Sequence, residues 1–220
     1  LAIELHRRGC QQDDESLSVA AEQLRLMETH VQRVLALGSR AAPQAGIALD
    51  RVVEEIVRLL RPRASHQHVE LQYHHPEHAV ELRGDAGALG QLVVNLVTNA
   101  LDAVERLPAH ERNVSVEVVA TAEQGAQIIV RDSGPGPSAE LSDELFEPFV
   151  TNKPDGTGLG LAVAREIARA HGGDIAWSRA EGETCFRVDL PAAGESVGPA
   201  SQLTMQARNA SSIALKSGLS

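Results

Sequence analysis

Asn95, Asn99 and Asp102 recur at helical spacing in the otherwise apolar run of residues 91–103, so they share one face of a helix. Two amides and a carboxylate there cost several kcal/mol to bury unless something satisfies them, and a hydrated Mg²⁺ carrying phosphates would do so. Alone, this face reads equally well as a polar helix flank. A second pattern, Asp132-Ser133-Gly134-Pro135-Gly136, follows the strand-like residues 127–130. A carboxylate at a strand end can accept a hydrogen bond from an exocyclic amine, and glycines let a flat base approach the backbone closely. Adenine has that amine, whereas guanine presents a carbonyl there. In isolation, a simple Gly-Pro turn explains the segment better. The third and fourth patterns are Leu145-Phe146-Glu147-Pro148-Phe149 and Gly156-Thr157-Gly158-Leu159-Gly160-Leu161, with Lys153 between them. Backbone amides of a glycine-rich stretch opening a helix cradle phosphate, and Lys153 can neutralise part of a triphosphate. A lone glycine loop is weak: no Gly-Lys-Ser/Thr follows it and no dinucleotide-type βαβ unit precedes it.

The elements that must position these groups are legible from periodicity. Leu49, Val52, Val53, Ile56, Leu59 and Leu60 give an amphipathic helix stopped by Pro62, and Leu89 to Val104 a second one ended before Pro108. Strands are expected over 69–73, 79–82, 114–120 and 127–130, the last two joined by a turn at Glu123-Gln124-Gly125. Residues 158–170 read as a helix that His171-Gly172-Gly173 closes, followed by a hairpin of 174–178 and 184–190 around Glu181-Gly182. Helices and strands mix without strict alternation, which favours an α+β, two-layer α/β sandwich over a doubly wound parallel sheet. Ahead of it, Leu17, Ala20, Leu24, Met27, Val31 and Val34 form a heptad stripe over residues 15–37. Asp13, Asp14, Glu15 and Ser16 cap its start, and Gly38 ends it. With a helix over residues 1–10, the segment 1–40 is expected to be a helical hairpin that pairs with its copy as a four-helix dimer. Residues 41–46 read as a linker, 47–191 as the mixed domain, and 192–220, rich in Ser, Ala, Gly and Gln, as a disordered tail.

Composition bounds the partners. Of 220 residues, 43% are hydrophobic, enough for a core, and the net charge of −10 argues against an electrostatic grip on nucleic acid or acidic lipid. Aromatics at 2% leave too few rings for stacking on single-stranded nucleic acid. No run reaches the roughly 18 apolar residues of a membrane span, and no charged-then-apolar leader is present. The cysteines Cys10 and Cys185 form neither a disulfide framework nor a zinc spacing, which fits a reducing cytoplasm. The lack of an initial Met points to a piece of a longer protein, and any membrane attachment is expected only through upstream regions. His66, His68, His74, His75 and His78 read as an exposed, partly titrating surface rather than a metal site.

In this order and spacing, the four patterns closely resemble the N box, the two glycine boxes and the F box of the Bergerat-fold ATP-binding superfamily. That superfamily includes sensor histidine kinases, gyrase and MutL-type ATPases and heat-shock chaperones. The resemblance covers residues 47–191, and the hairpin ahead of it looks like the dimerisation and histidine-phosphotransfer domain of a bacterial sensor kinase. It implies Asn99 as the principal Mg²⁺ ligand assisted by Asn95, and Asp132 on the adenine amine with Thr184 supporting that contact through water. It further implies a nucleotide site drawing on Asp102, Ala103, Gly134, Gly136, Lys153, Thr157, Gly158, Leu159 and Gly160. Residues 138–156 would be an ATP lid anchored by Phe146 and Phe149, and a response-regulator aspartate would be the downstream partner. In hydrolytic members a Glu stands one helical turn before the metal-binding Asn; here that residue is Asn95, and an amide cannot take a proton at neutral pH. This favours phosphoryl transfer to a protein histidine over rapid hydrolysis.

The chain departs from the family pattern in places. The acceptor motif has an acidic residue directly after its histidine and a proline five residues on. His6 is followed by Arg7 and has Gln11 at the proline position, and His30 is followed by Val31 with Leu35 there. The true acceptor is therefore expected upstream of Leu1, in which case this fragment binds ATP without phosphorylating itself. Ser133 replaces a usual Asn, Pro137 an aliphatic residue and Asn152 a common Thr, changes that can weaken nucleotide binding without abolishing it. Two rival readings remain open on sequence: a conformational ATPase of the same superfamily, and a degenerate dimeric partner-binding module. A serine kinase of the anti-sigma type shares the ATP site but usually lacks such a hairpin.

Overall fold

The computed structural model describes residues 46–192 except 122–124, 139–140, 143, 152 and 154–155. The expected hairpin over 1–40, linker residues 41–45, turn residues Glu123 and Gln124, lid residue Asn152 and the tail beyond residue 192 lie outside the described residues. The element order is β1 (Gly46–Ala48), α1 (Leu49–His66), β2 (Glu70–His74), β3 (Glu81–Arg83), α2 (Ala86–Val104), a 3₁₀ turn at Ala109–Glu111, β4 (Asn113–Ala120), β5 (Ala126–Asp132), α3 (Gly160–Ala170), β6 (Asp174–Ala180) and β7 (Glu183–Leu190). The mixed sheet runs β2-β4-β5-β7-β6, with β2 parallel to β4 and every other neighbouring pair antiparallel. Its inner face and the three helices enclose one core, giving the two-layer α+β sandwich expected from the pattern of elements.

Period two builds that inner face. Val114, Val116 and Val118 of β4, Ala126, Ile128 and Val130 of β5, and Phe186, Val188 and Leu190 of β7 all turn inward and are buried. The same alternation carries Asp132 and Thr184 inward at one end of the two central columns, where β5 and β7 pair them directly. The buried apolar surface therefore ends in two polar side chains placed by strand register.

Helix α2 fills the middle of the helical layer. Asp85 caps its start, its Oδ1 accepting from the N–H groups of Gly87 (2.8 Å) and Ala88 (3.0 Å). Leu89, Leu92, Val93, Leu96, Val97, Ala100, Leu101 and Val104 are fully buried, because α1, α3 and the sheet surround the helix. His171, which closes α3 as expected, also fixes this start: its ring donates from Nδ1 to the Ile167 carbonyl (2.8 Å) and accepts at Nε2 from the Asp85 N–H (3.1 Å).

Three boundaries differ from expectation. Pro62 does not stop α1, which continues to His66 with the proline inside it. A proline removes one donor to the carbonyl four residues back, here Arg58, whose neighbourhood is exposed to water; the Val69 N–H meanwhile holds the last turn at the Ala64 carbonyl (2.8 Å). Gly46, read as linker, is the first residue of β1, which pairs with β3 through Gly46 and Arg83. Helix α3 begins at Gly160 rather than Gly158, because Gly158 adopts a left-handed φ of 66°. The Glu181-Gly182 turn matches its sequence: both residues have positive φ, 56° and 88°, as a tight two-residue hairpin requires.

Candidate active site

Helix α2 gathers the site along one stripe. Asn95, 8% exposed, donates from Nδ2 to the Gly160 carbonyl (3.1 Å) and accepts at Oδ1 from Gln91 (2.9 Å). One turn on, the Asn99 Oδ1 accepts from the Lys153 ammonium (2.9 Å), which also pairs with Asp102 Oδ2 (3.1 Å). The other Asp102 oxygen accepts from Arg63 at the end of α1 (2.6 Å). At the next position Ala103 touches the first glycine of the Asp132 loop: a Cβ placed on Gly134 would lie 2.9 Å from the Ala103 Cβ and 2.7 Å from Asp132 Oδ1. Asn99 and Asp102 thus offer hard oxygen donors that already receive a cation, the ammonium of Lys153, and such a set fits Mg²⁺. Both ends of the Asn95 amide are engaged within the protein, so its visible role is to tie α2 to the start of α3.

Around Asp132 lies a polar knot. Asp132 is 2% exposed and its Oδ1 accepts from the Gly134 N–H (2.9 Å). Burial lifts its carboxyl to about 6, and Glu183 adds to the rise. The Gly134 N–H and the charges of Arg179 and Lys153 oppose it. Thr184, across the ladder, is 1% exposed. Arg179 binds both sides: its Nη1 donates to the Gly134 carbonyl (2.6 Å) and to Thr184 Oγ1 (3.0 Å), and its Nη2 to the Gly182 carbonyl (3.2 Å). Gly136 turns the chain with a φ of 74°, and a Cβ there would come within 3.1 Å of Thr184 Oγ1. Ser133, where the family has Asn, uses its hydroxyl to pin the loop, donating to the Glu111 carbonyl and accepting from the Asn113 N–H (3.0 Å).

The glycine turn lies beside the Asn95 end of the stripe. Leu159 stands at the N-cap of α3 with no side-chain cap, leaving first-turn amides open to an anion. Thr157 is exposed, its Oγ1 3.4 Å from the Leu159 N–H, and the space beside Gly160 is open. A Cβ on Gly158 would collide with the Phe149 backbone, whose N–H donates to the Gly158 carbonyl (3.0 Å). Phe146 packs edge-on against the buried Phe186, with ring centroids 6.5 Å apart, under the Arg165 guanidinium at 5.1 Å. Phe146 is therefore packed onto the sheet. Phe149, a residue 62% exposed, donates its backbone N–H to Gly158.

One face of α2 thus meets Gly160, Lys153 and Gly134 in turn, and the Phe146–Phe149 segment joins them through the bond from Phe149 to Gly158. The family described as histidine kinase-, DNA gyrase B- and HSP90-like ATPase matches residues 84–194. This chain belongs to that family. Among curated relatives, it is 33% identical to the C4-dicarboxylate transport sensor protein DctB of Rhizobium meliloti (strain 1021), over 80% of this chain and 28% of that protein. It is 32% identical to the sensor protein FixL of Bradyrhizobium diazoefficiens, over 83% of this chain and 36% of that one. The chain therefore spans about a third of the length of these relatives. Among solved structures, the mycobacterial sensor histidine kinase MprB superposes with a TM-score of 0.59 at 25% identity, covering 67% of this chain and 97% of that one. The histidine kinase ThkA, solved in complex with the response regulator protein TrrA, superposes with a TM-score of 0.64 over 79% of this chain and 49% of that chain, and at 22% identity shows the shared fold. Membership of an ATPase family makes ATP the nucleotide for which the site is built.

Sequence reasoning missed Arg179, Arg63, Gln91 and Arg165. Arg179 carried a signal: a two-residue turn at 181–182 pairs 180 with 183 and therefore 179 with 184. Arg63 and Arg165 reach their partners across elements distant in sequence, and no local pattern marks them.

Proposed function

We propose that the chain is the ATP-binding, phosphoryl-donating part of a cytoplasmic sensor histidine kinase, acting in two-component signalling. The observation that supports this best is the stripe of α2 in contact with the glycine turn, the lid lysine and the Asp132 loop. Asp132 would accept the exocyclic amine of adenine, with Thr184 beside it. Asn99 would hold Mg²⁺, with Asn95 keeping Gly160 and the phosphate cradle at the right distance. Bound Mg²⁺ would neutralise charge on the phosphates; the chain supplies position and further cationic charge through Lys153. An amide at Asn95 provides no base for water, which favours transfer to a histidine over hydrolysis. The histidine would sit on a dimeric helical hairpin of the kind read over residues 1–40, and a receiver-domain aspartate would take the phosphoryl group next. DctB and FixL are named as sensor proteins, and ThkA was solved with a response regulator, which is the relation proposed for this chain.

Two measurements test the reading. Asp132→Ala should bind MgATP at least about tenfold more weakly, the range for losing a charged hydrogen bond; unchanged affinity by calorimetry would refute the adenine contact. Incubation with γ-labelled MgATP and an added hairpin carrying a His-acid-Pro acceptor motif should give acid-labile, base-stable phosphate on the hairpin. Phosphate released to solvent with none on that hairpin would favour the conformational ATPase instead.

A further inference from the structure

The adenine-side knot contains one charged group that the sequence motifs do not assign. Arg179, at the end of β6, is the cross-strand partner of Thr184. Its guanidinium spans the loop after β5, the hydroxyl on β7 and the hairpin turn, with bonds to the Gly134 carbonyl (2.6 Å), Thr184 Oγ1 (3.0 Å) and the Gly182 carbonyl (3.2 Å). A planar fork with several donors can hold these three acceptors together, and an ammonium cannot. By donating to Thr184 Oγ1 it occupies an acceptor site of that hydroxyl, which itself donates to the Gly134 carbonyl at 3.4 Å, so guanidinium, hydroxyl and carbonyl hold one another in place.

We propose that Arg179 is a positioning residue of the adenine pocket, fixing Gly134 and the Thr184 hydroxyl for the base and holding the Asp132 carboxylate in its charged, hydrogen-bond-accepting form. The proposal rests on the assignment of Asp132 to adenine made above. The groups facing Asp132 are few: Arg179 from β6, Glu183 from β7, Lys153 from the lid, the Gly134 N–H, and uncharged Ala103 from α2. Lys153 is committed to Asn99 and Asp102. Arg179 is thus the cation bonded directly to the Asp132 loop. Burial raises the carboxyl to about 6 even with the Gly134 N–H, Arg179 and Lys153 opposing it, so loss of the Arg179 charge would raise it further.

The test is calorimetric titration of a non-hydrolysable MgATP analogue into the full chain from pH 5.5 to 8.5, for the native protein, Arg179→Met, Arg179→Lys and Asp132→Ala. Native affinity should fall as pH drops through about 6. Arg179→Met should lose roughly threefold to tenfold in affinity at pH 7, with the midpoint of its pH profile displaced upward. Arg179→Lys should keep the native midpoint and bind more weakly at every pH, because charge is retained and the fork is lost. A carboxyl ¹³C titration of Asp132 in the nucleotide-free chain should show the same upward displacement in Arg179→Met, whether or not nucleotide binds. A native profile and a native carboxyl midpoint in Arg179→Met overturn the proposal. Weak binding by Asp132→Ala beside a silent Arg179→Met condemns the role of Arg179 alone; full binding by Asp132→Ala condemns the adenine assignment beneath it.

Discussion

At the scale of single residues, Asp132 shows a conflict between binding and folding. Its carboxyl titrates near 6 in the folded protein against an ordinary 3.8. The raised value means that stability is fully present below the unfolded value and is lost as pH rises through 6. Asp132→Asn removes that dependence. The difference in unfolding free energy, variant minus native, should therefore grow by about 1–2 kcal/mol between pH 5 and pH 8; thermal melts that keep a constant gap across that range would contradict the buried-carboxylate account. The same residue was legible in the sequence only beside the other three patterns, because a Gly-Pro turn explains its own segment better in isolation. Arg179 was not, because its meaning depends on the register of a hairpin that closes only once β6 and β7 pair.

At the scale of elements, the segment around Phe146 and Phe149 is held by backbone geometry as much as by rings. The Gly158 φ of 66° and its close contact with the Phe149 backbone leave no room for a side chain. Gly158→Ala should cost about 1–3 kcal/mol in strain and weaken MgATP binding, with a lower Tm and a larger Kd as readouts; native values of both would show that the turn tolerates a Cβ. Phe146→Ala loses its contacts with Phe186 and Arg165, a loss of about 1–2 kcal/mol. It should weaken nucleotide binding while Phe149→Ala, with its exposed ring, has the smaller effect on stability. The sequence foresaw an aromatic anchor and could not say which ring was buried, since a Phe-x-x-Phe spacing in a non-periodic segment defines no face. Pro62 shows the reverse failure. A local rule ended α1 there, and an exposed site for the unpaired carbonyl, together with the bond from Val69 to Ala64, let the helix continue.

For the molecule as a whole, α2 is both core and site. By length and composition it could cross a membrane, yet 56% of its most apolar window is buried inside the protein and its polar stripe faces the lid. Leu96, fully buried between Asn95 and the rest of the core, should cost about 2–5 kcal/mol on replacement by Ala. Urea unfolding should show the loss with m unchanged, and a cost below 1 kcal/mol would mean that the helix does not carry the core. Fold class was legible because a buried central helix and alternating strands leave strong periodic signals. The convergence of Gly134, Lys153 and Gly160 on α2 was legible only by resemblance, since these contacts link residues 31 to 65 positions apart.

The ammonium of Lys153 rests on Asn99 and Asp102 and serves as a counterion within the site. If the site holds Mg²⁺ as proposed, a bare divalent ion would meet a positive charge already installed and bring nothing to exchange for it. A triphosphate that carried its metal along would offer the lysine a new seat at the moment it vacates the old one. Loading should therefore be a swap of partners in a single event, with magnesium and nucleotide entering together rather than in turn.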